Sequence, residues 1–199
     1  MRDVNVGMVG LGTVGGSTLR ILDENAAELE RRLGFRLRVR AAASLEIEAR
    51  SERDGRLLTR VWQEVVEHPE VEIIVELVGG TTIAYEVIRG ALERGRPVVT
   101  ANKELLGLRG AELAQLAAEH KASLSMEASV GGGIPILQVL REGISGDRIE
   151  ALFGILNGTS NFILSKMTAQ YKGSISRARH RRLIFSAATI VVPEPQKGS

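Results

Sequence analysis

Four short strings in this 199-residue sequence hold residue types that can bind a ligand or move a proton. Gly10-Leu11-Gly12-Thr13-Val14-Gly15 has the G-x-G-x-x-G spacing and lies between an apolar run, Val4 to Val9, and a segment with apolar residues at helical intervals. The first glycine permits a tight turn, the second lets a pyrophosphate come close to the backbone, and the third lets helix and strand pack together. The phosphates then meet the positive end of the helix. A glycine turn serving packing alone is the alternative, and the strand-turn-helix context favours dinucleotide binding over it. The second string, Val98-Val99-Thr100-Ala101-Asn102-Lys103-Glu104, closes an apolar strand on Thr, Asn and Lys, where ligands bind in open α/β folds. A lysine there can donate to a substrate carbonyl or carboxylate; otherwise it is a loop lysine in water. In the third, Glu127 precedes Gly131-Gly132-Gly133-Ile134-Pro135, a loop able to turn several carbonyls inward. Those oxygens and one carboxylate suit a hard cation, or the glycines simply lead into a helix opened by Pro135. The fourth, Asn157-Gly158-Thr159, exposes amides and a hydroxyl that suit a small amino-acid substrate, or is a generic Asn-Gly turn.

These strings need elements to position them. Apolar spacing predicts a strand over 4–9, a helix over 17–33, strands over 37–43 and 73–78, a helix over 84–94 ended by Gly95, and a strand over 97–100. A helix over 109–119 and a strand over 122–126 follow. Strands alternating with helices argue for an α/β fold, a Rossmann-like doubly wound parallel sheet. Gly80, just past the 73–78 strand, joins the candidate cofactor-binding glycines. The polar stretch from Ala43 to Leu58 reads as a surface loop or a frayed helix. A helix over 134–144 and a strand over 149–156 read as the beginning of a second, α+β domain. The expected division is 1–130, 131–168 and a basic, disordered tail over 169–199.

There is no cysteine, which excludes disulfides, thiolate metal sites and thiol nucleophiles. No apolar run is long enough to span a membrane and no signal-peptide pattern opens the chain, so a soluble protein is expected. The net charge of +2 hides an uneven distribution, because residues 170–199 hold six basic residues and one acid while the rest is net acidic. A basic tail without interleaved aromatics is not a nucleic-acid reader. An NAD site places an acid after the second strand, yet this strand ends in Ala41-Ala42-Ala43-Ser44. Arg38 and Arg40 stand nearby and mildly favour NADP if they face a 2′-phosphate; as solvent-facing strand arginines they say nothing, and both readings stay open.

Taken together, VGMVGLGTVGG, VVTANKELL and EASVGGGIPILQVLREGISGDRIEALFGILNGTSNFIL resemble the homoserine dehydrogenase family, over roughly Val4 to Thr168. The resemblance implies interconversion of homoserine and aspartate semialdehyde with NADP, NAD being the other choice, in the cytoplasm and in the synthesis of threonine, methionine and isoleucine. It further implies that Thr100 contacts the nicotinamide side of the cofactor and that Lys103 sits in the active site. A monovalent cation such as sodium would be held by Glu127 and main-chain groups of Val130, Gly132 and Ile134. Gly158 and Thr159 would touch homoserine, and the second domain would be catalytic and form a homodimer.

After Thr168 the resemblance ends. The family continues with an acid-rich segment that binds the substrate amine and leads to a catalytic lysine, whereas no acid occurs here between Ala169 and Pro193. The ending looks like a reading-frame shift or a mis-joined end, and weak activity or none is expected. A non-catalytic dinucleotide-binding protein, or a subunit paired with an intact partner, is the second reading. Another Rossmann oxidoreductase acting on a semialdehyde or sugar is the third.

Overall fold

In a computed structural model the described residues are 1–144, Gly146, and the short strands Leu152–Phe153 and Thr189–Ile190. The chain divides into two compact units, Met1–Gly132 and Gly133–Ser199. In the first, β1 (Asp3–Val9) leads into α1 (Thr13–Glu24) and α2 (Ala26–Leu33), then β2 (Arg36–Ala43), β3 (Ser51–Arg53), β4 (Arg56–Thr59) and α3 (Trp62–Val66). There follow β5 (Ile73–Glu76), α4 (Ile83–Glu93), β6 (Val98–Thr100), α5 (Lys103–Glu119), β7 (Leu124–Ser125) and a 3-10 turn over Glu127–Ser129.

The seven strands form one sheet in the order β3-β4-β2-β1-β5-β6-β7, parallel throughout except for β3. Central strands of such a sheet are apolar on both faces because helices cover both. Met8, Ala42 and Val39 pack on one side with Leu19 and Leu22 of α1, while Ile74, Val98 and Val9 pack on the other with residues of α3, α4 and α5. This is the doubly wound α/β architecture expected from the sequence.

The stretch 43–58 is not the surface loop that its composition suggests. Asp54 and Gly55, with φ of 52° and 69°, form a two-residue turn of the kind that joins tight hairpins, and β3 and β4 flank it. Leu57 and Thr59 are buried, and β4 pairs in parallel with β2. Charged residues on the outward positions, Glu52 and Arg53 among them, hid two short strands. Two helices also differ from their expected extents. The first breaks at Asn25, and α5 begins at Lys103 rather than Arg109, where a kink (φ −134°, ψ 15°) interrupts it. At that kink Arg109 stacks over the Tyr85 ring at 3.7 Å and binds Glu112.

In the second unit α6 (Ile136–Gln138) continues into a π turn over Val139–Gly143, and β8 (Leu152–Phe153) pairs antiparallel with β9 (Thr189–Ile190). Except for β9, the expected tail lies outside the described residues.

Ion pairs fasten the loops of the first unit. Glu64 is held below the ordinary carboxylate range by the Thr59 hydroxyl and Arg50, Glu70 by Arg40, and Glu72 by Arg2 together with the Asn5 amide. Carboxylates depressed on folding stabilise the protein above their unfolded value, about 4.3, and that contribution disappears as pH falls through the lower folded value. The melting temperature should therefore be level from pH 7 to about 5 and decline below about 4, modestly because the pairs are exposed. Circular-dichroism melts at stepped pH would check this, and Arg40→Met should flatten part of the decline.

Candidate functional site

Parallel register brings the ends of β1, β2, β5 and β6 to one edge of the sheet. Val9 pairs with Ala43 and with Glu76, and Glu76 pairs with Thr100, so the loops that follow these strands start level with one another. Ligands of open α/β sheets bind at this carboxyl edge.

The glycines after β1 do not share one role. Gly10 has φ of 96°, and a Cβ on it would lie 2.5 Å from the Leu77 carbonyl oxygen. On Gly15, a Cβ would collide with the Gly10 carbonyl. Both are required by the turn and by the close approach of α1 to β1 and β5. Gly12 differs: its φ of −62° suits any residue, and nothing lies within 4 Å of where its Cβ would be. The chain itself does not need glycine there, but an incoming ligand would. Gly12 caps α1 without a side chain, the first turn carries no acid, and Thr13 and Val14 are exposed. The free amides and the positive helix end thus face open space suited to an anion.

The loops after β5 and β6 are tied to one buried side chain. Glu76 is fully buried; its Oε2 accepts from Thr100 Oγ1 at 2.6 Å, and its Oε1 accepts from the amides of Val78 at 2.8 Å and Gly79 at 3.3 Å. Thr100 Oγ1 in turn accepts from the Asn102 amide at 3.0 Å. The Asn102 side chain donates to the Gly80 carbonyl at 2.7 Å and accepts from the Leu105 amide at 3.1 Å, capping α5. Gly79 and Gly80 have φ of 77° and 67°, with open space around both. Thr100 and Gly80 thus sit in one network, and Glu76, which the sequence reading passed over, is its centre. An acid closing an apolar strand three residues before Gly79-Gly80 was the signal for it.

Lys103 is the first residue of α5, exposed, at the same sheet edge. Among the described residues it has no carboxylate partner. A cation at a helix N-terminus opposes the helix dipole and costs about 0.3–1 kcal/mol, so its placement does not serve the helix.

Arg38 and Arg40 lie away from this edge. Arg38 is level with Asn5, five residues back along β2 from Ala43, or about 16 Å. It pairs with Asp3 at 2.9 Å, and Arg40 pairs with Glu70 at 2.7 Å, as solvent-facing strand arginines do. Glu127 opens the 3-10 turn after β7, and the Val130 amide donates to its carbonyl at 3.1 Å. Gly131 and Gly132, with φ of 72° and 36°, turn the following peptides. These residues belong to the first unit and Ile134 to the second, where its carbonyl accepts from the Ile136 amide at 2.8 Å. Gly158 and Thr159 lie outside the described residues. Among those described, no cluster of three or more acidic or histidine side chains is placed to hold a metal, and no helix is long and apolar enough to cross a membrane.

Residues 10–127 match the family model described as homoserine dehydrogenase, NAD binding domain, and residues 135–183 match the model described as homoserine dehydrogenase. The second match runs past Thr168, where the recognisable strings end. The chain is 46% identical over 175 residues to the homoserine dehydrogenase of Neisseria gonorrhoeae, covering 87% of this chain and 40% of that protein. With the Pseudomonas aeruginosa enzyme it shares 43% over 167 residues, 84% of this chain and 38% of the relative. The chain thus spans about 40% of the length of these curated relatives. Among solved structures, a homoserine dehydrogenase from Thiobacillus denitrificans superposes with a TM-score of 0.76 at 45% identity, over 85% of this chain and 39% of that one. A hyperthermophilic archaeal homoserine dehydrogenase in complex with NADPH superposes with a TM-score of 0.68 at 27% identity, over 90% of this chain and 60% of that one.

Removing the Thr100 hydroxyl should loosen the network. Thr100→Val leaves Glu76 Oε2 and the Asn102 amide without their partner in a buried setting, and is expected to cost about 1–3 kcal/mol in urea denaturation. Thr100→Ser should cost clearly less. Equal losses would assign the effect to methyl packing instead.

Proposed function

The chain belongs to the homoserine dehydrogenase family, and from that membership we propose that it binds a nicotinamide dinucleotide, NADP before NAD, and acts in the cytoplasm on L-homoserine and L-aspartate 4-semialdehyde. The observation that carries this reading is Gly12, a glycine that the fold does not require, at the open end of a helix carrying no acid in its first turn. The residues fit the group: amides of Thr13, Val14 and Gly15 face the space where its pyrophosphate would sit.

Bound there, the nicotinamide ring would give or take the hydride. The chain's own residues would do the rest. Thr100 and Gly80, fixed through Glu76 and Asn102, would border the nicotinamide end. Lys103 would donate a hydrogen bond, and in the reductive direction a proton, to the oxygen of the substrate carbon that receives the hydride. Gly158 and Thr159 would contact the amino acid. Glu127, with main-chain oxygens of Val130, Gly132 and Ile134, would hold a monovalent cation such as sodium, whose hard charge prefers oxygen donors. Residues 131–168 would begin the catalytic and dimer-forming domain.

The test is direct. Gly12→Val should keep its fold, since a Cβ there meets nothing within 4 Å, but should lose NADPH binding measured by nicotinamide fluorescence. Equal binding by both proteins would overturn the pyrophosphate assignment. NADP reduction with excess homoserine tests the reaction itself, which is expected to run weakly or not at all in this chain, and Lys103→Ala should remove whatever rate is seen if Lys103 handles the proton.

A further inference from the structure

We propose that Arg60, with the hydroxyl of Ser44, forms the site that recognises the 2′-phosphate monoester of the dinucleotide; this rests on the dinucleotide reading above. The position follows from β4, the strand hidden in the polar stretch. Its last residue, Thr59, pairs with Ala43, the last residue of β2, and the Ser44 amide donates to the Thr59 carbonyl at 3.0 Å. On the other side of β2, the Gly10 amide donates to the Ala43 carbonyl at 2.8 Å. Gly10, Ser44 and Arg60 therefore leave three neighbouring strands, β1, β2 and β4, at one level of the carboxyl edge. The span from Gly10 to Arg60 is two strand spacings, about 10 Å.

With the pyrophosphate over Gly12, the adenosine ribose lies beside the end of β2, where an NAD-type site keeps an acid and an NADP-type site a cation. Ser44 offers no negative charge to repel a phosphate. Arg60 offers a planar donor fork suited to one.

Charge accounting together with position singles out Arg60: Arg53, also without a carboxylate partner among the described residues, lies beside the hairpin turn opposite Arg56, three residues back from Thr59 and the carboxyl edge. Arg38, Arg40, Arg50 and Arg56 are each paired, with Asp3, Glu70, Glu64 and Asp23 respectively. Arg60 is exposed and has no carboxylate partner among the described residues. The closest acid along the following helix, Glu64, is already taken by Arg50 at 3.0 Å. The edge thus holds an uncommitted guanidinium one strand from the ribose position, and the paired arginines of β2 are not needed to explain a preference for NADP.

The experiment titrates the 199-residue chain with NADPH and with NADH, in unmodified form and as Arg60→Ala, Ser44→Asp and Arg38→Ala, with circular dichroism verifying each fold. Arg60→Ala and Ser44→Asp should each weaken NADPH about tenfold or more while leaving NADH within about twofold, and Arg38→Ala should leave the ratio unchanged. The Arg60 effect should also shrink as salt is raised, because the site is exposed. An unchanged NADPH-to-NADH ratio in Arg60→Ala, an equal loss for both dinucleotides, or tighter NADH than NADPH binding by the unmodified chain would overturn the assignment and leave the dinucleotide reading standing. Binding of neither dinucleotide by the unmodified chain would overturn that reading, and the Arg60 site with it.

Discussion

A carboxyl group with no access to water sits at the end of β5, and the loops of the candidate site take their shape from its needs. Glu76 can be buried only if its oxygens are given donors, because an unpaired polar group in the interior costs several kcal/mol. The donors come from both sides: the Thr100 hydroxyl from β6 and the Val78 and Gly79 amides from the loop after β5. Satisfying the carboxylate therefore bends one loop back on itself and fixes the last side chain of the neighbouring strand. Asn102 extends the same accounting by bridging to Gly80 and capping α5, which sets where Lys103 emerges. A single unexposed acid thus couples three chain segments, the loop after β5, the end of β6 and the start of α5.

The opposite side of the edge is organised by backbone crowding rather than by polar satisfaction. Gly10 and Gly15 let β1, α1 and the Leu77 carbonyl pass closer than any side chain would allow. That closeness aims the first turn of α1 at the space beyond β1. Half of the site is therefore held by hydrogen bonds to a buried acceptor and half by the lack of atoms, and the two halves meet at the end of β5, where Glu76 serves one and Leu77, the residue after the strand, the other.

What could be read from residue types was what depends on local spacing. The glycine string, the Thr-Ala-Asn-Lys string at the end of β6 and the alternation of strands with helices are local patterns, and the fold class and the position of Lys103 at the carboxyl edge followed from them. Glu76 was missed because an acid in an apolar run looks like an outward-facing strand residue until its cross-strand partner is known. Arg60 was missed because its place depends on β4 pairing with β2, a nonlocal contact, and because β4 and the β3 strand beside it are four residues or fewer, with charged residues among them. Arg38 and Arg40 drew attention instead because they lie near the motif in sequence, although a strand carries them away from it by about 3.3 Å per residue.

The antiparallel strand β3 has a consequence for the chain's company rather than its chemistry. A parallel sheet ending at β4 would present a rim of unpaired amides and carbonyls next to the buried Leu57, and such rims template strand addition between molecules. Here the outermost strand is three residues long, reads Ser51-Glu52-Arg53, and turns back through Asp54 and Gly55. A neighbouring strand laid against it would find few bonds to make and would have to bring its own backbone up against two charged side chains. The hairpin that carries the chain from the second strand toward Arg60 also ends the sheet in a form that discourages aggregation.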